Sequence, residues 1–251
     1  MEELILDNCF NYFEKIKSDS TDLILTDPPY EIDMRDGHAK NPLKKIINDS
    51  AGSIDWERFL KESYRVLKLN KMMFICCRTD MVMRLSSYIQ NSDFLYIHDF
   101  VWLKGDMGYG NLNVMGTTHE LLIALSKEKP EKSKIVVIDG KEKKRTPAIF
   151  YGKITKKEYY GHPTQKPVGL MAYIIMSRTK EGDIVLDPFA GVGSTLIAAK
   201  LLNRNFMGIE IDKEFYDLSK KRITDQDHLN MYIEMLNSGL IRHNGAIKFN
   251  N

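Results

Sequence analysis

Apolar residues in this chain fall into short runs separated by polar stretches with helical spacing. Seven runs read as strands: residues 4–6, 22–26, 72–76, 100–103, 120–125, 183–186 and 206–211. Each is too short for a helix and is bounded by charged or turn-forming residues. Between them, Trp56, Phe59, Leu60, Tyr64 and Leu67 recur at steps of three and four, which puts them on one face of an amphipathic helix. Pro167 can open a helix through Val168, Met171, Ile174 and Ile175, because a first-turn residue needs no N–H. Residues 194–203 and 213–222 read as two more helices. Strands alternating with helices predict an α/β fold, a doubly wound and mostly parallel sheet. A chain of 251 residues suffices for one such domain. The rhythm breaks at 31–54 and again at 105–160, stretches long enough to be functional loops or a small subdomain.

The run at 23–26 ends in Asp27-Pro28-Pro29-Tyr30. Two prolines supply no N–H and fix their own φ, so the ladder stops there in a rigid turn. Their carbonyls stay free to accept hydrogen bonds, and a carboxylate and an aromatic ring flank them. That set of parts suits a flat ring bearing an amine. Alone, the same stretch is equally a strand terminator.

Composition narrows the class. Hydrophobic content of 43% and charged content of 28% are those of a soluble globular chain. Met1-Glu2-Glu3-Leu4 offers no basic leader, and no run approaches the roughly 18 apolar residues of a membrane span. Of the three cysteines, adjacent Cys76 and Cys77 sit in an apolar run and read as core, with no disulfide framework or metal knuckle. The expected setting is the cytoplasm. Net charge is only +2, yet residues 127–157 hold eleven basic against four acidic side chains. A basic insert on an acidic body, with Phe150, Tyr151, Tyr159 and Tyr160 interleaved, points to a polyanion-facing surface.

The C-terminal third holds a second set of parts. The run 183–186 leads into Asp187-Pro188-Phe189-Ala190-Gly191-Val192-Gly193-Ser194-Thr195, and a helix follows. Two glycines let the backbone turn tightly beside a ligand. Glu210 lies roughly 20 residues on, near the end of the next strand, where an acid can bind ribose hydroxyls. The third glycine of a dinucleotide turn and the Lys of a phosphate loop are both missing. A ligand with a ribose and no pyrophosphate fits better, such as S-adenosyl-L-methionine, and the acid before the turn could take an ammonium group. Upstream, His162-Pro163-Thr164-Gln165-Lys166-Pro167 offers a hydroxyl and an ammonium.

Together these motifs resemble the amino-methyltransferases of DNA. Their order, catalytic motif first and cofactor motif near the C-terminus, is that of the family's beta arrangement, over roughly residues 4–222. The resemblance implies a seven-stranded, mostly parallel sheet and S-adenosyl-L-methionine as methyl donor. It places Asp27, Pro28, Pro29 and Tyr30 at the reacting amine, with Asp27 also bordering the donor. It lines the donor pocket with Asp187, Phe189, Gly191, Gly193 and Ser194, and sets Thr164 and Lys166 near the methionine end and Glu210 on the ribose. Family members carry Gly-Asp before a small residue near the N-terminus, where the Asp meets the adenine of the donor. The aligned stretch here is Asp7-Asn8-Cys9, which leaves open whether Asp7 or Asn8 makes that contact.

In the family, Asp in first position accompanies adenine N6 and Ser accompanies cytosine N4, so Asp27 favours adenine; cytosine N4 and RNA are the alternatives. A cytosine C5 enzyme needs a Pro-Cys pair, and none of the eight prolines precedes a cysteine. The amine is out of reach inside a duplex, so the base must be flipped out of double-stranded DNA. Target selection is expected in 31–54 and 105–160, with Lys40, Lys44, Lys45, Lys141, Lys143, Lys144 and Arg145 on the DNA. A cognate restriction endonuclease is a further expected partner. Residues 225–251 exceed the resemblance and pack either on the core or on a second copy in a homodimer.

Overall fold

The computed structural model describes residues 1–31, 47, 50, 52–104, 117–133, 136–138, 141–143, 147–152, 154, 158–160, 164–237, 242–243 and 245–246. In chain order the elements are β1 (Glu2–Leu6), α1 (Cys9–Phe13), β2 (Thr21–Thr26), α2 (Trp56–Val66), β3 (Leu67–Cys77), α3 (Thr79–Gln90), β4 (Leu95–Leu103), β5 (His119–Ser126), β6 (Val136–Ile138), β7 (Lys141–Lys143), β8 (Ile149–Tyr151), α4 (Val168–Arg178), β9 (Ile184–Asp187), α5 (Ser194–Leu201), β10 (Asn205–Glu210), α6 (Lys213–Thr224), α7 (Gln226–Asn237), β11 (Arg242–His243) and β12 (Gly245–Ala246).

Eight strands form one open sheet in the order β1-β10-β9-β2-β3-β5-β4-β8. The β1–β10, β10–β9, β9–β2, β2–β3 and β4–β8 ladders are parallel, and β5 runs antiparallel to both β3 and β4. All seven expected strands are present. The eighth comes from inside the expected recognition insert. Ile149-Phe150-Tyr151 pairs with β4 at the sheet edge, and Phe150 is fully buried. A three-residue strand is too short to read from alternation, so this part of 105–160 belongs to the sheet.

Two cores cover the two faces. Along β2, Leu23 and Leu25 point into one with α4 and α5, while Ile24 points into the other with α1, α2 and α3. A strand alternates its side chains, so covering both faces requires the unbroken apolar run read at 23–25. Helix α4 opens after Pro167, as expected, and is buried over Val168–Ile175 because it lies between the sheet and its neighbours. Helix α7 answers the question of residues 225–251 as far as it reaches. Leu229 and Tyr232 sit in the same core as α4 and α5, so this helix packs on its own chain. No described helix is long and apolar enough to cross a membrane.

Candidate active site

Strands β9 and β2 are neighbours, yet the helices that follow them cover opposite faces of the sheet. A crevice opens beyond the carboxyl ends of two such strands. The Thr26 hydroxyl donates to Asp187 Oδ1 at 2.8 Å and ties the two strand ends together. One pocket lies there, and Asp27, Pro28, Pro29 and Tyr30 line one end of it. Asp7, Asn8, Cys9, Phe189 and Glu210 line the other, with Thr164, Lys166, Asp187, Gly191 and Ser194 also on its wall. Gly193 is not on the wall. It stands behind it as the N-cap of α5, with φ of 82°, and a Cβ there would overlap the Ser219 hydroxyl. Both the left-handed backbone and the close packing require glycine.

Glu210 closes β10 and its carboxylate accepts from two backbone amides, Gly191 N and Asp212 N, each at 2.7 Å. These bonds fix the group and leave a lone pair on each oxygen facing the pocket. Burial holds its carboxyl above the usual range in spite of the two amides. Asn8 is the N-cap of α1, and its Oδ1 is taken by Phe10 N at 2.9 Å. Asp7 Oδ1 accepts from Asn8 N at 2.7 Å and from the Asn11 amide at 3.1 Å. Its Oδ2 meets Lys15, at 3.6 Å. The Ser194 hydroxyl is buried on the pocket wall with no hydrogen-bond partner. Asp187 is buried, and burial pushes its carboxyl up to about 7 against the pull of Thr195, Thr26 and the Phe189 amide. A fixed acid at the end of β10 and, among the described residues, an unsatisfied hydroxyl and a buried acid without a cation fit S-adenosyl-L-methionine, which carries hydroxyls, a carboxylate and an ammonium.

At the other end stands a knot of charge. Lys166 Nζ donates to Asp27 Oδ2 at 2.6 Å and lies 3.4 Å from Glu120 Oε2. Lys104 forms an ion pair with Glu120 Oε1. The Tyr30 hydroxyl sits 3.0 Å from both Asp27 Oδ1 and Glu120 Oε2, and Lys166 lies 5.1 Å from the centre of the Tyr30 ring. Burial raises the Asp27 carboxyl, with Lys166 pulling it down and Glu120 pushing it up. Burial also works to raise Glu120, but Lys166 and Lys104 outweigh it and hold that carboxyl low. Burial would lower the Lys166 ammonium, yet Asp27 and Glu120 overcome it and hold it above its ordinary value.

The turn is clamped from behind. Glu31 has φ of 55° and is buried; its carboxylate accepts from Ile54 N at 3.0 Å and from the Trp56 indole at 3.1 Å. Arg84 donates to the Tyr30 carbonyl at 2.7 Å. Both mouths of the 31–54 loop are therefore fixed next to Tyr30. A left-handed non-glycine backbone costs of order 1–3 kcal/mol, and these bonds hold it in place.

The model of a DNA methylase family, covering N6 and N4 amino-methylases, matches residues 21–221. The chain belongs to that family. This DNA methyltransferase is 30% identical to the type II methyltransferase M2.DpnII of Streptococcus pneumoniae, over 90% of its own length and 91% of the relative's. It is 28% identical to the type II methyltransferase M.HinfI of Haemophilus influenzae, over 90% of this chain and 69% of that one. Among solved structures, the complex of M1.HpyAVI with S-adenosyl-L-methionine is 25% identical, with a TM-score of 0.64 over 88% of this chain and all of that one. The cytosine-N4-specific PvuII methyltransferase shares the fold at a TM-score of 0.72 and 18% identity, over 93% of this chain and 92% of that one. S-adenosyl-L-methionine is the methyl donor of the family.

Among the described residues, the methylase brings Asp27–Tyr30, Thr164–Lys166 and the Asp187–Ser194 turn to one crevice, with Gly193 behind its wall. Sequence reasoning missed Glu120, which reads as the polar start of an apolar strand until β5 is placed beside β3. Its one signal is a carboxylate at the head of the run Leu121–Leu125. The basic residues are less well placed. Lys40, Lys44, Lys45, Lys144 and Arg145 lie outside the described residues, as do His162 and Pro163. Lys141 and Lys143 lie on β7, which forms an antiparallel hairpin with β6.

Proposed function

We propose that this methylase transfers a methyl group from S-adenosyl-L-methionine to the N6 amine of an adenine flipped out of double-stranded DNA. The observation that carries the reading is the single pocket shared by Asp27–Tyr30 and by the donor-type residues Asp187, Ser194 and Glu210. Bound donor supplies an electrophilic sulfonium methyl. Asp7, whose Oδ2 keeps lone pairs beyond the 3.6 Å ion pair with Lys15, accepts from the exocyclic amine of the donor's adenine, whereas the Asn8 oxygen already caps α1. Glu210 takes the ribose hydroxyls, and Asp187 and Ser194 take the amino-acid end with Thr164 near by.

The target amine is a weak nucleophile because its lone pair is delocalised into the ring. Asp27 accepts one amine hydrogen and the Pro28 carbonyl the other, which favours a tetrahedral nitrogen with its lone pair aimed at the methyl. Positive charge moves onto that nitrogen during transfer, so the Asp27 carboxylate stabilises the transition state more than the ground state. The fixed turn supplies alignment. Tyr30 lines the base's side of the pocket. Asp27 in first position favours adenine over cytosine N4 by resemblance to the family; the likeness to the N4 enzyme rests on fold alone.

The names of the type II relatives support a restriction–modification role with a cognate endonuclease, and with it a cytoplasmic setting. Lys40, Lys44, Lys45, Lys141, Lys143, Lys144 and Arg145 are proposed to meet the DNA phosphates from 31–54 and 105–160. A homodimer is not needed to cover α7, since Leu229 and Tyr232 are already buried. Asp27→Ala tests the central assignment. Turnover should drop by on the order of 10²–10³, as when one electrostatic stabiliser is removed, with donor binding retained. Near wild-type turnover would remove Asp27 from the reaction.

A further inference from the structure

The Tyr30 hydroxyl has one hydrogen, yet two carboxylate oxygens lie 3.0 Å from it, one on Asp27 and one on Glu120. It can donate to only one of them at a time. Lys166 presents three hydrogens. Asp27 Oδ2 lies at 2.6 Å, the Thr164 carbonyl at 3.1 Å and Glu120 Oε2 at 3.4 Å. Among the described residues, both side-chain donors that reach Asp27, Tyr30 and Lys166, have Glu120 as their other carboxylate. Glu120 in turn is held by Lys104 from the end of β4.

We propose that Glu120 is a positioning residue for methyl transfer: it draws the Tyr30 hydroxyl and one Lys166 hydrogen away from Asp27, so that Asp27 Oδ1 is open when the target amine arrives. The inference rests on Asp27 as the group that meets the amine. Without Glu120, the Tyr30 hydroxyl stays on Asp27 Oδ1, Lys166 is held by Asp27 alone, and both compete with the amine for its lone pairs. A Glu120 that only balanced Lys104 would still act on Asp27 through its field, but its loss would leave the plateau rate of transfer unchanged.

The charged and titratable groups around this point are few. Asp27 and Tyr30 come from the turn after β2, Cys76 and Cys77 from β3, Asp99 and Lys104 from β4, Glu120 from β5, Lys166 from before α4, and Asp187 from β9. The cysteine thiols are pushed up by burial and stay neutral, with Cys77 up to about 12. Glu120 is the carboxylate whose field makes Asp27 harder to ionise. Removing it should ease that ionisation while crowding the carboxylate.

The test is single-turnover methylation of unmethylated, amplified DNA with saturating donor, followed from acid to mildly alkaline pH. E120Q keeps the shape and loses the charge. We expect a rate roughly 10- to 10²-fold lower, the scale of a misplaced reacting group, with donor affinity within about twofold and the acid limb moved to lower pH. K104M removes a positive charge from the far side of Glu120 and should move the acid limb to higher pH. A wild-type rate in E120Q, or an acid limb that does not move, overturns the inference. If E120Q does not fold, an unmoved limb in K104M does so alone. Failure of the Asp27 reading would show separately, as an active Asp27→Ala variant.

Discussion

Lys166→Met removes the cation that the two buried carboxylates share. Lys166 is 3% exposed, with Asp27 Oδ2 at 2.6 Å and Glu120 Oε2 at 3.4 Å. At an effective dielectric constant of about 20, those separations correspond to attractions of roughly 6 and 5 kcal/mol before desolvation. Breaking a buried pair by removing one partner costs about 3–5 kcal/mol net, because the remaining charge is stranded. At roughly 2–4 °C per kcal/mol for a domain of this size, the variant should melt about 10 °C lower at neutral pH. The sign with pH follows from the protonation states. Glu120 has a folded carboxyl held low, so its contribution is present above the unfolded carboxylate range and is lost as pH falls through the folded value. The raised Lys166 ammonium contributes fully at pH values below its ordinary range. In the variant Asp27 loses its cation and Glu120 keeps Lys104 alone, so both carboxylates protonate more easily. The gap between the two proteins should therefore be widest at neutral pH and narrow towards pH 5. Calorimetry at both pH values measures it. A variant as stable as the parent, or a gap independent of pH, would refute the shared-cation reasoning.

Donor affinity should depend on pH through Asp187. With its carboxyl pushed up to about 7, chiefly by burial, the donor-free pocket is largely protonated below that value. Binding an ammonium needs the carboxylate, so titration calorimetry should show affinity falling by up to about tenfold per pH unit below 7, and Asp187→Asn should flatten the dependence. The same raised value makes the donor-free protein lose stability as pH rises from the unfolded carboxylate range towards 7, a trend opposite to that of donor affinity and readable in thermal melts. Tyr232→Phe should destabilise by about 1–3 kcal/mol in denaturant titrations, since it leaves the fully buried Arg222 Nη2 without its 2.6 Å partner. Donor affinity should change with it, because Arg222 also holds the Val192 carbonyl between the two glycines. Unchanged stability would mean that water replaces the hydroxyl.

What the chain disclosed in advance follows from how local each cause is. The strands that build the crevice were legible because they are apolar on both faces, and the proline pair and glycine turn mark where the chain must leave the sheet. Helix α3 was missed because Met81, Leu85 and Ile89 are its only buried side chains, and polar residues dilute the spacing. Glu120 was hidden for a different reason. Its partners lie 90 residues upstream at Tyr30 and at Lys166, and only the placement of β5 between β3 and β4 brings them together. Asp7 and Asn8 could likewise not be told apart in the sequence, since both carry an acceptor and the α1 cap that engages the Asn8 oxygen is visible only in the fold.

The most direct test of the central claim is chemical. Incubate the methylase with methyl-labelled S-adenosyl-L-methionine and unmethylated duplex DNA, digest the DNA to nucleosides and identify the labelled species by mass spectrometry. The account expects N6-methyladenine, formed on the order of 10²–10³-fold more slowly by the Asp27→Ala control. Label in N4-methylcytosine would contradict the assignment of the base, and label accumulating at the wild-type rate with the control variant would contradict the assignment of the site.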